Sequence, residues 1–447
     1  MRKAGMIVSF LVVIFVVVAA SALVYHYLEW EKPQVRIQEA FDMVGNKRNV
    51  NIDISDLRSG IRSVTVSLVQ KDHPFEIARE EIPEAGTTRK TMTVEVSPRK
   101  LRMKDGPAVF QIQVVDYSPL RNTTIVQRNV TVDMKPLHVS LLTMAHNVNP
   151  GGTCMAAYTL SKPVLKSGVQ CGDVFSPGYP QKTANGKTYY VCYFPVPIDV
   201  SKATVMNVVA NDRAGNQAVV SIPFYIRSQW RFYADKLGIG QDFITRKANE
   251  FLQEYPDLEG KTVEEAFTYI NVDIRKGNEN TIREVSRRTG PEQLWDGSAF
   301  LMMKNGATRA RFADKRTYLL DGKPIGESVH LGIDVASTER APIEAFNSGT
   351  VVFASSLGIY GNAIIIDHGQ GIASLYGHLS SIQVSEGQQV QKGQVIAASG
   401  ATGWAGGDHL HFSMMVNGIF VNPIEWWDSH WIQDNVTRKL QGVQDSL

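Results

Sequence analysis

Alternating apolar and polar positions dominate the chain from about residue 33 to about residue 227. The runs RSVTVSLVQ (62–70), TMTVEVS (91–97) and VFQIQVVD (109–116) alternate in this way and are rich in Val, Ile and Thr. A period of two is typical of strands with one buried face. Turn-forming clusters such as DGP and NPGG separate these runs. The pattern predicts an all-β architecture for this part.

A weak internal repeat divides this β region. The segment VFQIQVVDYSPLRNTTIVQRNVTV (109–132) resembles TVMNVVANDRAGNQAVVSIPFYI (204–226). The pattern of each copy predicts a strand, an Asp-containing turn that ends in Asn, and a second strand. Repetition of this kind predicts two small β-sandwiches of the immunoglobulin-like type. Such modules are more often spacers or docking surfaces than catalysts, and a cell-wall protein is one partner they would suit.

The period changes to that of helices between about residues 230 and 295. The segments GQDFITRKANEFLQEYP and GKTVEEAFTYINVDIRKG have helical periodicity. Thr262 and Glu265 have the spacing of a capping box, and Pro256 and Gly277 are expected to end the two helices. One face of the second helix is apolar and is predicted to pack into a core, through Val263, Ala266, Phe267, Ile270 and Ile274.

Short strands with many glycines return from about residue 300. Runs such as GNAIIIDHG (361–369), ASLYGHLS (373–380) and DHLHFSMMV (408–416) predict a further all-β domain. Six of the ten histidines lie at or after position 330, so candidate chemistry concentrates here.

The N-terminal segment is apolar enough to cross a membrane. Ala4–Tyr25 carries no charge, and Arg2 and Lys3 precede it. A run of this length predicts a transmembrane helix whose flanking charges keep the N-terminus in the cytoplasm. The alternative is a cleaved signal peptide, because ASA (20–22) resembles a cleavage site. Both interpretations place the rest of the chain outside the cytoplasm.

Composition narrows the classes of function. A length of 447 residues predicts two to four domains, and 43% hydrophobic with 20% charged residues is typical of globular proteins. The net charge of +2, without a basic run, argues against nucleic acid as the main partner. Cys154, Cys171 and Cys192 contain no CxxC pair, so one disulfide and one free thiol are expected in an oxidising compartment.

Three side chains in the last domain form a plausible metal-binding set. His330 and Asp334 lie four apart in HLGIDVAS, where the β-branched residues favour an extended segment with both on one side. His409 and His411 share one face of a strand in GDHLHF. With His411, the first pair offers two imidazoles and one carboxylate, a suitable set for catalytic Zn²⁺. Each spacing alone is a weak signal.

The combination of motifs is more specific. HLGIDVAS, LYGHLS and GDHLHF, in this order, resemble the lysostaphin-type (LytM-like) zinc metallopeptidases, which cut peptide bonds in bacterial peptidoglycan. The resemblance covers roughly residues 305–425. It implies a LytM-like (duplicated hybrid motif) fold, zinc ligands at His330, Asp334 and His411, and catalytic roles for His378 and His409. Ser413 departs from the family, whose members commonly carry Glu there.

Other polar and aromatic residues of this domain are expected to be structural. His368 occupies a family-typical position without a ligand role, and Tyr376 is as consistent with strand packing as with substrate placement. Core packing is also expected for the C-terminal aromatic cluster of Trp426, Trp427 and Trp431.

The predicted architecture is therefore a mainly β, multidomain chain. The expected segments are a transmembrane anchor (1–30), two Ig-like β modules (31–134 and 135–227), a helical connector (228–299), a LytM-like metallopeptidase domain (300–427) and a tail (428–447). The expected function is a single-pass, membrane-anchored zinc endopeptidase of peptidoglycan, in the cytoplasmic membrane with its bulk on the periplasmic or extracellular side.

Two alternatives stay open at this point. A catalytically silent LytM-like domain would activate a separate cell-wall amidase, although such relatives usually lack a key residue and none is missing here. An active enzyme held shut by its helical segment is the other alternative, for which removal of residues 228–295 is expected to raise activity.

Overall fold

The computed structural model describes residues 14–19, 29–144, 146–227 and 232–447. Most of the predicted membrane anchor lies outside these residues, and 14–19 are helical (α1). Among the described residues, no helix has the length and apolar character needed to span a membrane. The anchor therefore stays a prediction.

The described chain falls into two compact units. The first consists of the described residues up to Leu137 with Lys162–Leu165 and Asn211–Ala218, and the second of the remaining described residues. These two units do not test the predicted domain boundaries, which stay predictions.

Two sheets with a common apolar core form most of the first unit. One sheet has the order β1-β3-β6 and the other β2-β8-β7-β4-β5. Alternate residues are buried, as in β7, which explains the period of two in the sequence. Val50 and Ile52 from one sheet share the core with Val66 and Ile112 from the other. The strands are β1 (Gln34–Ile37), β2 (Met43–Val44), β3 (Arg48–Ser55), β4 (Ile61–Gln70), β5 (His73–Glu81), β6 (Arg89–Val96), β7 (Gly106–Asp116) and β8 (Thr123–Val132).

Ten further strands form the second β module. They pair in the orders β14-β15-β11-β9, β13-β12-β16-β17 and β10-β18. The Ig-like topology predicted for both modules stays a prediction. The strands are β9 (Val139–Leu141), β10 (Asn147–Val148), β11 (Thr153–Leu160), β12 (Lys166–Cys171), β13 (Val174–Pro177), β14 (Tyr179–Lys182), β15 (Thr188–Pro195), β16 (Met206–Asn211), β17 (Gln217–Ser221) and β18 (Tyr225–Ile226).

The expected disulfide is absent from this module. Cys154, Cys171 and Cys192 are buried free thiols in its core. Cys154 lies opposite Phe194 across the β11–β15 pair, and Cys192 lies opposite Ala156. The two cysteines are thus diagonal neighbours, and the usual Cα separation of such positions, about 7–8 Å, is too long for a disulfide. The prediction of one disulfide was wrong.

The helical segment begins with a strand. β19 (Ala234–Gly238) pairs in parallel with a strand of the following domain. The helical elements that follow are α2 (Gln241–Phe251), a 3-10 turn (Pro256–Leu258), α3 (Val263–Thr268), a π-helical turn (Tyr269–Ile274) and α4 (Arg275–Val285). The capping box of Thr262 and Glu265 is present.

Gly277 does not end the second helix. The helix continues to Val285, because Asn278, Ile282 and Val285 extend its buried face beyond the glycine. A helical glycine costs only about 1 kcal/mol relative to alanine, less than burying such side chains gains. Of the predicted apolar face, Ala266, Phe267, Ile270 and Ile274 are buried, and Val263 is half-buried.

The last domain is built on an eight-stranded sheet. Its order is β20-β23-β31-β27-β26-β25-β29, with β32 also paired to β31, and smaller sheets are β19-β21-β22 and β24-β30-β28. The strands are β20 (Ala307–Ala310), β21 (Lys315–Leu320), β22 (Lys323–Val329), β23 (Ile333–Ala336), β24 (Pro342–Glu344), β25 (Gly349–Ser356), β26 (Asn362–Asp367), β27 (Ile372–Leu379), β28 (Ser381–Ile382), β29 (Gln389–Val390), β30 (Val395–Ala398), β31 (Leu410–Val416) and β32 (Ile419–Val421).

The segment predicted as a tail is helical and packs within the second unit. Trp426 and Trp431 share one core with Tyr193 of the second β module. Five short elements complete the domain: a 3-10 turn (Gly358–Tyr360), α5 (Pro423–Trp427), α6 (Ser429–Ile432), a π-helical turn (Gln433–Thr437) and α7 (Arg438–Ser446).

Candidate metal centre and active site

Two paired strands bring the three predicted ligands together. Asp334 on β23 lies opposite His411 on β31, and His330 lies in the short connection between β22 and β23. His330 Nε2 is 3.0 Å from Asp334 Oδ1 and 3.1 Å from His411 Nδ1. His411 Nδ1 is 2.8 Å from the same carboxylate oxygen. All three side chains are buried.

This donor set fits one zinc ion. Zinc binds imidazole nitrogen and carboxylate oxygen at about 2 Å, and two tetrahedral ligands at that distance lie about 3.3 Å apart. The three observed separations are slightly shorter and need only a small outward adjustment. Because catalytic zinc sites have three protein ligands, this set would leave the fourth position for water.

Hydrogen bonds beyond the ligands orient the two imidazoles. His330 Nδ1 donates to the carbonyl oxygen of Arg311 at 2.9 Å, which leaves Nε2 for a metal. His411 Nε2 lies 3.0 Å from Ser413 Oγ, which leaves Nδ1. Ser413, the residue that departs from the family pattern, therefore contacts a ligand of the site.

A glycine allows the ligand strands to approach. A Cβ atom at Gly332 would lie 2.6 Å from His411 Nε2 and 2.6 Å from Ser413 Oγ. Any larger residue at position 332 would therefore displace His411. This contact explains the glycine of the motif HLGID.

The protonation states suit metal binding. Burial lowers the pKa of His411 to about 4, so its imidazole is neutral at pH 7. Burial opposes ionisation of Asp334, but His330 and the hydrogen bonds from both histidines hold its pKa well below the usual value. A neutral imidazole and a carboxylate are the forms that bind metals.

The two predicted catalytic histidines lie beside the ligands. The rings of His378 and His409 are 4.7 Å apart, and that of His378 is 5.8 Å from His411. His378 Nδ1 donates to the carbonyl of Thr402 and His409 Nδ1 to that of Gly407, each at 2.8 Å. The Nε2 atoms of both rings therefore remain available.

The structure thus gathers all five predicted site residues around one cavity. His330, Asp334, His378, His409 and His411 line a cavity of about 510 Å³. Their individual roles stay predictions, since geometry places side chains and does not measure turnover.

Comparison with known proteins identifies the domain. Residues 328–423 match the model of peptidase family M23. The chain carries an M23 peptidase domain. The resemblance to lysostaphin-type enzymes is therefore confirmed, and peptidases of this family are zinc metallopeptidases.

Relatives of the M23 domain include hydrolases and an activator. The DD-carboxypeptidase/endopeptidase Mpg of Neisseria meningitidis is 42% identical over 96 residues, which are 22% of this chain and 22% of that protein. The murein hydrolase activator EnvC of Escherichia coli is 33% identical over 144 residues, 32% of each chain. The matches therefore span about a fifth to a third of these relatives, and they support a peptidoglycan hydrolase at the level of family.

A solved structure with a similar segment is the catalytic domain of lysostaphin from Staphylococcus simulans. It is 30% identical, covers 28% of this chain and 94% of that chain, and has a TM-score of 0.24.

Arg316 is a site residue that the sequence did not reveal. Its Nη2 lies 3.1 Å from Asp334 Oδ2, so the two oxygens of Asp334 divide between the arginine and the predicted metal position. Arg316 belongs to β21, outside the motifs of the M23 domain. Because the contact joins distant parts of the chain, no local pattern in KRTYLL (315–320) indicates it.

The helical segment supplies part of the cavity wall. Asp235 and Leu237 of β19 and Arg275 of α4 line the same cavity as the ligands. Arg309 of β20 and Arg316 of β21 add two further positive charges. Three arginine residues therefore line the cavity, and guanidinium groups suit a substrate with carboxylates.

His368 and Tyr376 have the structural roles expected of them. His368 is fully buried, with Nδ1 2.7 Å from the carbonyl oxygen of Ser348 and Nε2 2.7 Å from Ser374 Oγ. The hydroxyl of Tyr376 accepts a hydrogen bond from the amide of Phe346 inside the core. Neither side chain lines the cavity of the M23 domain.

Proposed function

We propose that this chain is a zinc-dependent endopeptidase that hydrolyses peptide bonds of peptidoglycan. The observation that carries the proposal is the convergence of His330 Nε2, Asp334 Oδ1 and His411 Nδ1 beside two further histidines. The M23 match over residues 328–423 supports the same reaction class.

The proposed mechanism divides the work among these side chains. His330, Asp334 and His411 would hold zinc, which supplies a Lewis acid that activates water at neutral pH. His378 and His409 present Nε2 atoms whose orientation is fixed by hydrogen bonds from Nδ1 to backbone carbonyls. One takes up a proton from the attacking water, and the other stabilises the oxyanion of the tetrahedral intermediate.

Stem peptides and their cross-links are the proposed substrates. Arg275, Arg309 and Arg316 at the cavity would attract the carboxylates of a stem peptide. The name of the Neisseria relative, DD-carboxypeptidase/endopeptidase Mpg, is consistent with this substrate class. Mass spectrometry of fragments released from defined peptidoglycan would name the bond.

The proposed location is the outer side of the cytoplasmic membrane. The uncharged segment Ala4–Tyr25 supports a single-pass anchor, with the positive residues before it in the cytoplasm. The β modules would then set the reach of the peptidase domain into the cell wall, or bind a wall protein.

An activator of a separate amidase is the second candidate function. The similarity to EnvC favours it, because that relative is named as a murein hydrolase activator. The five polar residues of the site argue for the enzyme, since an activator does not need them. Metal-free protein that stimulates an amidase but does not cleave sacculi would support the activator.

Two histidine variants test the enzyme and the division of roles. We expect His411→Ala to lose both zinc and activity, because it removes a ligand. His378→Ala should keep zinc and lose activity by about 10²-fold or more. Zinc content is measured by elemental analysis and activity by release of muropeptides from purified sacculi.

A matched control is available in the same domain. His430 is 95% exposed, so His430→Ala should change neither zinc content nor activity. Equal zinc loss in the two site variants would show that the ligand and catalytic roles are wrongly assigned. Full activity of His378→Ala would contradict the mechanism.

A further inference from the structure

Three buried carboxylates meet at one end of the first β module, far in sequence from the peptidase site. Glu29 precedes β1, Asp56 follows β3 and Asp116 ends β7. One carboxylate oxygen from each lies within 4.8 Å of the others. The three residues are 6%, 4% and 0% exposed, so water does little to separate their charges.

Amide and hydroxyl groups of the surrounding loops hold all three carboxylates, and Glu29 Oε2 accepts from the amide of Ser59 at 3.0 Å. Asp56 Oδ1 accepts from the amides of Arg58 and Gly60 at 3.2 and 3.0 Å. Asp116 Oδ1 accepts from the amide and hydroxyl of Ser118 at 3.1 and 2.7 Å. Asx-type turns of this kind hold a carboxylate in one orientation.

One oxygen of the cluster is left without a donor. Asp56 Oδ2 is buried and has no hydrogen-bond partner among the described residues. Because the loop amides occupy Oδ1, Oδ2 is the oxygen of Asp56 that remains for a cation. A buried carboxylate oxygen with no donor is unfavourable, and it calls for a positive charge.

No side chain supplies that charge within the described part of the chain. Its ion pairs include none with Glu29, Asp56 or Asp116. Three buried carboxylates with no cation repel each other strongly.

The second copy of the internal repeat contains a related turn with a buried carboxylate. Asp116 and Asn122 in one copy correspond to Asp212 and Asn216 in the other, and each Asp amide donates to the carbonyl of its Asn, at 3.1 and 3.0 Å. Each Asn side chain in turn donates to its Asp, at 2.9 and 3.0 Å.

At the second turn a lysine neutralises the acidic pair. Lys162 Nζ lies 2.6 Å from Asp212 Oδ2 and 3.0 Å from Asp133 Oδ2. The ammonium thus lies between two carboxylates of the second turn. Within the described residues, the carboxylates at the first turn have no such cationic side chain.

We propose that Glu29, Asp56 and Asp116 form a binding site for a divalent cation of the Ca²⁺ type. Hard carboxylate oxygens, without nitrogen or sulfur, suit Ca²⁺. Two oxygens bound to one Ca²⁺ at its usual distance lie at most about 5 Å apart, which matches the cluster. The site is separate from the M23 centre, whose nitrogen ligands suit zinc.

The cation would fasten the start of the described chain to the module. Asn122 Nδ2 donates to the carbonyls of Glu29 and Glu31 at 2.8 and 3.1 Å, so this segment already lies along the turn. With Glu29 bound as well, residues 29–31 would become a rigid part of the first unit.

Calcium titration of the full chain tests the site. After removal of metals with a chelator, we expect one Ca²⁺ to bind per chain by calorimetry and to raise the temperature at which the first β module unfolds. Asp56→Asn should weaken Ca²⁺ binding at least tenfold, because it removes the charge of the carboxylate whose Oδ2 has no partner. Asp72→Asn, in an exposed turn of the same module, is the matched control and should bind Ca²⁺ as the unchanged chain does.

Two further variants make the result decisive. Glu29→Gln lies outside every strand, so it should weaken Ca²⁺ binding without unfolding the module even where Asp56→Asn does. His411→Ala removes a ligand of the M23 centre and should leave Ca²⁺ binding unchanged. Absence of Ca²⁺ binding at millimolar concentration, or unaltered binding by Glu29→Gln, would overturn the proposal.

Discussion

His378 adopts a backbone conformation that few non-glycine residues take. Its φ is +61°, in the left-handed region, although it is the second-to-last residue of the buried strand β27. Residues in this region cost of order 1 kcal/mol or more and persist where the surroundings enforce them. The hydrogen bond from Nδ1 to the Thr402 carbonyl and the burial of the ring hold His378 toward the cavity. Strain at this position is consistent with its proposed catalytic role.

Site residues that lie in local sequence motifs could be predicted, whereas contacts between residues distant in the sequence could not. His330, Asp334 and His411 are visible in the sequence because they lie inside short motifs that resemble a family, although His330 lies just outside the strand that carries Asp334. The ion pair from Arg316 to Asp334 joins β21 to β23 and leaves no local signal. The same holds for the glycine contact at Gly332, which is explained only once His411 is in place.

His368 gives a prediction for pH dependence at the residue scale. Burial lowers its pKa from 6.5 to about 4, so the unfolded chain binds a proton at a higher pH than the folded chain does. The stabilisation is complete above pH 6.5 and is lost as the pH falls through about 4. A shift of this size corresponds to about 3 kcal/mol. Between neutral pH and pH 4, the free energy of unfolding should therefore fall less in His368→Gln than in the unchanged chain, by roughly that amount. Urea denaturation at the two pH values measures this difference.

The exposed His430 provides the comparison for this experiment. His430→Gln should leave the pH dependence of unfolding as it is in the unchanged chain, because its ring is 95% exposed. An identical pH dependence in the His368 and His430 variants would mean that His368 does not carry the effect.

At the scale of elements, local sequence patterns predicted most strands. They did not predict strands that form only by pairing with a distant segment of the chain. The alternation in 62–70 and 109–116 corresponds to β4 and β7. β19 was not predicted, because ADKLG (234–238) has no alternation and every residue in it is exposed. It is a strand because it pairs with β21, about 80 residues later in the chain.

The helical segment, which was predicted to be a connector, also contributes to the hydrophobic core of the peptidase domain. Phe251 of α2, Ile270 and Ile274 of the π-helical turn, and Ile282 of α4 share one hydrophobic core with the M23 domain. Removal of residues 228–295 would therefore expose this core and is expected to unfold the domain. That deletion cannot report on autoinhibition, which stays a hypothesis.

A substitution at Gly277 tests the helical segment without removing it. A Cβ atom there would meet nothing within 4 Å, and the residue lies inside the continuous helical run that ends at Val285. Gly277→Ala should stabilise the chain by about 0.5–1 kcal/mol, because alanine loses less backbone entropy in a helix. Chemical denaturation followed by circular dichroism measures this change. A neutral or destabilising effect would contradict the account of the helix that passes through Gly277.

At the scale of the whole molecule, the second unit combines parts that the sequence had separated. Glu425 Oε1 accepts from the side chain of Asn149 at 2.7 Å, and Oε2 accepts from the amide of Thr153 at 2.6 Å. Trp426 Nε1 donates to Thr153 Oγ1 at 3.2 Å. Motifs and composition could not reveal these contacts, because the partners lie some 270 residues apart. The second β module and the M23 domain therefore belong to one compact unit within the described chain.

Tyr193 tests this unity from the side of the β module. Its ring is fully buried, with a centroid 6.2 Å from that of Trp426, although it lies outside the M23 match. Tyr193→Ala in the full chain should lower the free energy of unfolding by about 3–5 kcal/mol, because it leaves a cavity in a shared core. We expect circular dichroism, zinc release and loss of activity on heating to shift together to a lower temperature. Tyr225→Ala, at a side chain 70% exposed, should leave all three where they are. If the zinc-release temperature of Tyr193→Ala equalled that of the unchanged chain, the M23 domain would fold on its own, and the β module would be a separate spacer.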